Sequence, residues 1–250
     1  MSELFSIQLQ NRQQQGRDGV WLDLPTTTEQ VQAALRQIGI SSDNPQGLFI
    51  SGYFAEEEKR FAISYNMVLA SNVDELNFLA SRLETLSTGE RAELNAALQA
   101  PQSELFSIGR ITDFPENVDY YVHLPDVHGP AQLGDYYLNR SGMVNMPEEW
   151  KGGIDTAQFG RYVAQQEQGA FTQYGYLVKS GDEWQKVHEG QPVPEEYRVL
   201  SFPAPEVLRD SANIPPPVQP ETEPQKVIPI ILNGKDSAER MKEITDRLET

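Results

Sequence analysis

The 250-residue chain contains no cysteine and only three histidines. The absence of cysteine excludes disulfides, thiolate metal sites and cysteine nucleophiles. His123, His128 and His188 lie far apart and show none of the spacings typical of a metal site. We therefore expect no metal and no cofactor, and we expect His123, on a predicted strand, to be a packed or half-exposed side chain and not a ligand.

Positive charge is also scarce, because 20 Lys and Arg residues stand against 37 Asp and Glu residues and give a net charge of −17. Proteins that read nucleic acids need clustered Lys and Arg, so direct binding to duplex DNA is disfavoured, as is binding to an anionic membrane surface. The most apolar run, 227–232, is too short to span a bilayer, and the N-terminus lacks a secretory signal pattern. The expectation is a soluble, cytoplasmic protein.

Catalytic motifs are missing as well. The chain has no GxSxG elbow, no GxxxxGK[ST] phosphate loop and no GxGxxG turn. Carboxylate pairs such as Glu57 with Asp74 could act as acid and base, but solvated surface acids are the simpler interpretation. We therefore predict that the protein is not an enzyme, with a hydrolase using paired carboxylates as an alternative.

Proline marks the domain organisation, because seven of the 17 prolines fall within residues 203–224. Such a run favours extended geometry, so we predict a linker over 191–225. A short strand at 227–232 and an amphipathic helix form a separate segment, 226–250. The body before the linker is predicted to be α+β, with an N-terminal α+β domain at 1–66, a helical middle domain at 67–100 and a third α+β domain at 101–190.

The N-terminal domain is predicted to begin with a hairpin of strands Leu4–Leu9 and Gly19–Leu24. Thr26 with Glu29 has the spacing of a capping box before an amphipathic helix that stops at Gly39. Further strands are predicted at Leu48–Tyr53 and Phe61–Tyr65. In the middle domain, Asn72 with Glu75 caps one helix, and Thr88 caps a second that ends before Pro101.

The third domain contains a repeat, because Ser2–Ile7 (SELFSI) recurs as Ser103–Ile108. Trp21–Pro25 and Tyr121–Pro125 correspond at nearly the same offset. The pattern predicts a second copy of the hairpin, with chance similarity between strand-forming segments as the alternative. Helices are then predicted at 133–138 and 155–166, and strands at 171–178 and 184–188.

The acidic residues are concentrated between Glu56 and Glu149, where sixteen acids face six bases. One interpretation is a surface that promotes solubility. The other is a surface that presents carboxylates where DNA presents phosphates and so fills the basic cleft of a DNA-binding enzyme. Residues 1–190 carry a net charge of −13, so a dimer with −26 matches roughly 44 Å of duplex at one charge per ~1.7 Å.

A series of segments in order resembles the ArdA antirestriction proteins of conjugative plasmids and transposons, over roughly residues 3–190. The segments are Gly19–Pro25 (GVWLDLP), Gln37–Ile40 (QIGI), Phe49–Tyr53 (FISGY), Val73–Ala80 (VDELNFLA), Leu133–Leu138 (LGDYYL), Gly169–Thr172 (GAFT) and Tyr174–Leu177 (YGYL). Met146–Trp150 (MPEEW), Gly153–Asp155 (GID) and Phe159–Tyr162 (FGRY) resemble the family's antirestriction motif. Gly153 and Tyr162 depart from the tyrosine and the acid that the family usually has there.

The resemblance implies a non-catalytic inhibitor in the bacterial cytoplasm. It implies an elongated homodimer of three small domains per chain, which mimics bent B-form DNA and binds the methyltransferase core of type I restriction–modification enzymes. The alternative is an acidic structural or regulatory protein of a mobile element that binds another basic partner. The candidate phosphate-mimicking residues are Glu56, Glu57, Glu58, Asp74, Glu75, Asp113, Glu116, Asp119, Asp126, Asp135, Glu148 and Glu149.

By the same resemblance, Pro147, Ile154, Asp155, Gly160 and Arg161 belong to the motif. Asp155 could instead cap the helix that contains Phe159, and Gly160 and Arg161 could serve packing or the dimer contact. At the C-terminus, Lys242–Leu248 (KEITDRL) resembles the opening of an ArdC-type region that binds single-stranded DNA. The chain is then either a truncated fusion or a body with an independent tail helix.

Overall fold

The computed structural model describes residues 4–14, 18–41, 45–101 and 103–200. They form a mixed fold of several helices and two small antiparallel sheets, which agrees with the predicted α+β class. Several predictions lie outside the described residues. They are the linker from residue 201 onward, the strand at 227–232, the C-terminal helix and the start of the repeat's first copy. The elongated arrangement of three domains stays a prediction. Across the described ranges, no helix is long and apolar enough to cross a membrane.

The first sheet confirms the predicted hairpin. Strands β1 (Phe5–Asn11) and β2 (Val20–Leu24) pair antiparallel, and β3 (Leu48–Phe54) pairs with the other edge of β1, giving the order β2-β1-β3. Alternation along β1 buries Phe5, Ile7 and Leu9 on one face. Since side chains alternate between the faces of a strand, the residues between them lie on the opposite, outer face.

Helix α1 (Thr28–Gln37) begins one residue later than predicted. Its capping box is formed by Thr27 with Gln30, not by Thr26 with Glu29. Thr26 is buried, and its N–H donates to Oδ1 of Asn77 at 2.7 Å, so it is held by a tertiary contact. The predicted capping pair was therefore wrong by one position.

The predicted strand Phe61–Tyr65 is absent from the described chain. A 3-10 turn (Glu57–Lys59) follows β3, and α2 (Tyr65–Leu69) follows an extended segment. In that segment the Ala62 N–H donates to Oδ1 of Asn95 at 2.7 Å, and Nδ2 of Asn95 donates to the carbonyl of Arg60 at 3.2 Å. A side-chain amide thus takes the place of a neighbouring strand. The alternation of apolar residues therefore predicted a strand where the chain is extended but pairs with no other strand in the described ranges.

Two helices follow, α3 (Val73–Glu84) and α4 (Thr88–Gln99). The capping box of Asn72 with Glu75 is confirmed. The second box is formed by Ser87 with Glu90, so Thr88 is the first helical residue and not the cap. Helix α4 ends at Gln99, with Ala100 as its C-cap, and so stops before Pro101 as predicted.

The chain from 103 to 200 is built of short elements around a second sheet. Strand β4 (Tyr121–Leu124) pairs with β6 (Gly175–Lys179), which pairs with β5 (Ala170–Thr172), all antiparallel. The predicted strand over 171–178 is therefore two strands joined by a turn. The helices are α5 (Ile108–Thr112), α6 (Pro130–Asp135) with a π-helical turn (Tyr136–Arg140), α7 (Glu148–Lys151) and α8 (Thr156–Glu167), and 3-10 turns lie at Phe114–Glu116, Val118–Tyr120 and Glu195–Tyr197.

The predicted second hairpin is wrong. Residues 103–108 form no strand, because Ser107 caps α5 by accepting the Arg110 N–H at 3.3 Å. Strand β4, the counterpart of β2, pairs with β6 instead. Where both copies are described, Phe5–Ile7 lie in β1 whereas Phe106–Ile108 lead into α5, so the same residues adopt different structures in different surroundings.

Residues 180–200, which we name the strap, lie against this body with little regular structure. The predicted strand 184–188 is wrong, because Asn117 binds both backbone groups of Gln185, at 2.7 and 2.9 Å. Asp113 accepts the N–H groups of His188 and Glu189, at 2.6 and 3.1 Å.

The strap continues through residues that the sequence assigns to the linker. Asp74 accepts the N–H groups of Val199 and Leu200 through one oxygen, at 2.7 and 2.9 Å. Nδ2 of Asn77 donates to the carbonyl of Tyr197 at 2.9 Å, and Val199 is buried. Four polar side chains of the body, Asp74, Asn77, Asp113 and Asn117, therefore hold the strap.

We predict that Asp113→Ala lowers the free energy of unfolding by about 2–4 kcal/mol, because it leaves two strap N–H groups without their acceptor. Chemical denaturation followed by circular dichroism measures this. Asp126→Ala, at an exposed position, is the control and should change stability by no more than about 0.5 kcal/mol. Equal stability of the two variants would contradict the role of Asp113 in holding the strap.

Candidate partner-binding surface

Most of the acids predicted to mimic phosphates are exposed. They lie on turns and helix starts, where the backbone fixes their positions while the carboxylates face solvent. The exposed members are Glu56, Glu57, Glu58, Glu116, Asp119, Asp126, Glu148 and Glu149.

The densest group is the 3-10 turn after β3, where Glu56, Glu57 and Glu58 line a shallow, open depression. Lys59 pairs with Glu56 at 3.0 Å. Glu57 and Glu58 have no ion pair within the described ranges. The turn therefore presents two consecutive carboxylates without a counter-ion from those ranges.

Other predicted acids are partly neutralised by neighbouring cations. Glu148 pairs with Lys151 at 2.6 Å, and Glu116 pairs with Arg82. Hydrogen bonds from Asn139 and Arg140 hold the pKa of Asp135 below its usual value. These acids add less to the negative potential than Glu57, Glu58, Asp119, Asp126 and Glu149, which form no ion pair in the part of the chain that is described.

Three predicted acids are used inside the fold. Asp113 is fully buried, so the prediction that it faces a partner is wrong, because both of its oxygens accept strap N–H groups. Asp74 is half-buried and also binds the strap. Glu75 accepts the Asn72 N–H in the capping box of α3. The sequence indicated the capping role of Glu75, but it could not separate Asp74 and Asp113 from the exposed acids, since their partners lie 75 to 126 residues away.

A cluster of acids that sequence analysis missed lies between α4 and the third predicted domain. Glu93 on α4 is half-buried, and its Oε1 has no hydrogen-bond partner. Burial, with repulsion from Glu90 and Asp119, raises the pKa of Glu93 to about 8. The repulsion shows that Asp119 lies near α4, so the fold brings together acids that are far apart in sequence.

The segment that resembles an antirestriction motif, residues 146–162, surrounds the start of α8 and is called the motif below. Asp155 caps this helix by accepting the Gln158 N–H at 2.9 Å, which confirms the capping alternative. Pro147 is exposed at the N-cap of α7, and Ile154 is half-buried between the two helices in sequence. Arg161 is exposed and directly follows the buried Gly160.

Gly160 has a packing role. A Cβ at this position would lie 1.8 Å from the carbonyl oxygen of Pro130, and one at Gly134 would lie 1.9 Å from that of Thr156. Both distances are far below van der Waals contact. Helices α6 and α8 therefore touch backbone to backbone through one glycine from each helix.

The far end of α8 is fixed by a carboxylate shared between two tyrosines. Glu167 accepts the hydroxyl of Tyr176 at 2.9 Å and also that of Tyr137. Burial and the bound carboxylate raise the pKa of both tyrosines, so they stay protonated donors. Nothing in the sequence spacing indicated this contact, which joins α8 to β6 and to the π-helical turn.

Several large apolar side chains are exposed, and two groups of them lie at the segments matched by sequence. Met143, Trp150 and Tyr162 lie in or beside the motif, and Trp21 and Phe54 lie on the first sheet. His123 is packed, with Nε2 at 2.7 Å from the Tyr174 carbonyl. Among the residues with described positions, no group of His, Asp and Glu is arranged to hold a metal ion.

The comparisons with known proteins identify a family. The model of the family "Antirestriction protein (ArdA)" matches residues 15–178, about two thirds of the chain. The match includes the motif and all of the exposed acids named above, but it ends before the strap. No curated protein matches the chain.

We predict that Gly160→Ala destabilises the fold by about 3 kcal/mol or more, because the added Cβ meets the Pro130 carbonyl and forces α6 from α8. Gly89→Ala is a matched control in α4, since nothing lies within 4 Å of its Cβ position. That control should be neutral or stabilising by up to about 1 kcal/mol. Thermal and chemical unfolding measure both; equal effects would disprove the close helix contact.

We predict that Glu93 makes the protein less stable as pH rises from 4.5 to about 8, because the folded state holds this proton more tightly than the unfolded chain does. The side chain in the Glu93→Gln variant is uncharged at every pH. The free energy of unfolding of this variant should therefore increase relative to that of wild type over this range. Denaturation at several pH values measures the difference, with the exposed Glu149→Gln as control. A difference that does not change with pH would refute this role of Glu93.

Proposed function

The chain belongs to the ArdA antirestriction family, and we propose that it inhibits type I restriction–modification enzymes as a DNA mimic that fills their DNA-binding cleft. The observation that carries the proposal is the set of exposed carboxylates without an ion pair in the described ranges: Glu57, Glu58, Asp119, Asp126 and Glu149. The inhibitor is non-catalytic, since it acts by occupying a site.

Electrostatics supports this proposal. A DNA-binding cleft offers Lys and Arg side chains that otherwise contact phosphates. The exposed carboxylates would meet those cations, and the net charge of −17 would speed the encounter. The same charge opposes binding to duplex DNA itself, so the enzyme is the partner and DNA is the competitor.

The positions of the acids also support mimicry, because a mimic must hold like charges in place against their mutual repulsion. Glu57 and Glu58 come shortly after β3, and Ala55, the residue that directly follows this strand, is buried. Asp119 lies in a 3-10 turn directly before β4. The scaffold thus fixes the backbone beneath these carboxylates, which lowers the entropic cost of binding.

The proposed assembly is a homodimer, which doubles the charged surface. The exposed side chains of Met143, Trp150 and Tyr162 provide apolar surface close to the motif. Apolar and aromatic side chains are typical of the centre of protein interfaces. They support a protein contact that includes these residues.

The test is displacement of labelled duplex DNA from a type I methyltransferase core by the purified protein, at two salt concentrations. We predict stoichiometric displacement that weakens as salt rises, because the contacts are ionic. No displacement by the folded protein would reject the proposed function and favour another basic partner.

Two variants that each remove three negative charges distinguish the effect of charge position on displacement from the effect of total charge. The first changes Glu57 and Glu58 to Gln and Asp119 to Asn, and it should weaken displacement by about tenfold. The second changes the exposed Glu183, Glu195 and Glu196 to Gln, outside the matched span, and should displace DNA like wild type. Equal weakening in both would mean that net charge alone, and not the surface, governs binding.

A further inference from the structure

The outer face of the first sheet carries exposed aromatic side chains. Strand pairing places Trp21 beside Gln8 and Gly52, and Asp23 beside Ser6 and Phe54, in two neighbouring rows across the three strands. Trp21 is 49% exposed and Phe54 is 55% exposed. The opposite face of the same strands is buried in the core, so the outer face is the side available to a partner.

The aromatic side chains of this face form an ordered surface. The rings of Trp21 and Phe54 meet edge to face, with centroids 6.4 Å apart and planes at 73°. The Trp21 ring extends from β2 across β1 to β3, where a Cβ on residue 52 would lie 3.0 Å from its Cη2 atom. Glycine at position 52 thus allows the indole to lie across the sheet.

One carboxylate lies beside this aromatic pair in the sheet, and two more follow Phe54 closely along the chain. Asp23 is exposed, and its Oδ1 accepts the Ser6 hydroxyl at 2.6 Å, which orients the carboxylate. Glu57 and Glu58 follow Phe54 by three and four residues on the 3-10 turn. An aromatic surface flanked by carboxylates is suited to a planar cation, which stacks on a ring and pairs with an acid.

The chain itself shows this kind of contact at the other end of the face. Phe49, placed on the outer face by its pairing with Gln10, has the guanidinium of Arg12 5.3 Å from its ring centroid. Trp21 and Phe54 have no such cation over their rings in the described ranges. Among the described residues, the face therefore has one aromatic ring with an arginine over it and two rings without one.

We propose that the outer face binds arginine side chains of the partner, with a guanidinium stacked on the Trp21 and Phe54 pair and paired with Asp23. The identity of that partner rests on the proposed function, since arginines that contact DNA phosphates would supply the guanidinium groups. A second copy of this chain is a poorer occupant, because it would bring Asp23, Glu57 and Glu58 against the same acids.

The first experiment tests the face without the enzyme. Fluorescently labelled hexa-arginine and hexa-lysine peptides are titrated against the full-length protein, and binding is followed by anisotropy. Wild type should prefer hexa-arginine by about threefold to tenfold, because a guanidinium stacks on aromatic rings better than an ammonium does. The variant Trp21→Ala/Phe54→Ala should lose that preference, while Val187→Ala, an exposed apolar residue elsewhere, should keep it.

Circular dichroism and a thermal melt show whether each variant is folded. If the double variant unfolds, Phe54→Ser, on the edge strand, and Asp23→Asn provide the same test separately. Equal binding of both peptides by wild type, or an unchanged preference in the folded variants, overturns the proposal. So does a fall in oligomeric state in the variants, measured by sedimentation, because the face would then bind a second copy.

The second experiment uses the DNA-displacement assay. If wild type displaces DNA and Trp21→Ala/Phe54→Ala does so severalfold less well, both the function and the face are supported. If the variant equals wild type, the inference fails while the proposed function stands. If wild type displaces nothing but retains the arginine preference through Trp21 and Phe54, the face is supported and the proposed function fails.

Discussion

Buried backbone groups need hydrogen-bond partners, and this fold satisfies many of them with side chains instead of regular secondary structure. Asn95 binds the extended segment before α2, Asn77 joins Thr26 to the strap, and Asp113 and Asn117 hold the strap itself. Each replaces a missing strand or helix turn with one amide or carboxylate. The short elements of the second half would otherwise leave backbone polar groups without partners.

This mode of construction explains which parts of the fold could be predicted. The β1–β2 hairpin and the capping box of α3 depend on residues close in sequence, and both were predicted correctly. The segment Phe61–Tyr65 has the alternation of a strand but binds Asn95, some 33 residues away, so no local pattern could reveal it. The SELFSI repeat was misassigned for a different reason, because Ser107 caps α5 in the second copy, whereas the matching Ser6 lies in a strand.

Some features of the candidate surface could likewise be predicted from the sequence, and others could not. Composition indicated an acidic protein, and most acids chosen from the sequence are exposed. Asp113 could not be recognised as internal, since its partners lie 75 and 76 residues further along the chain. The exposed aromatic pair was missed because alternation places Trp21 on the outer face without indicating that the face is uncovered. Charge could therefore be inferred from sequence, whereas the geometry of the face could not.

The strap has a consequence for the order in which the protein folds during synthesis. Domains generally fold as the chain emerges, N-terminal parts first. The acceptors of the strap, Asp74 and Asp113, are synthesised long before Val199 and His188, the residues that donate to them. Asp113 lacks its donors until Glu189 has emerged from the ribosome, and Asp74 lacks its donors until Leu200 has emerged. A nascent chain that holds every residue matched by the family model therefore still lacks the last contacts of its native state.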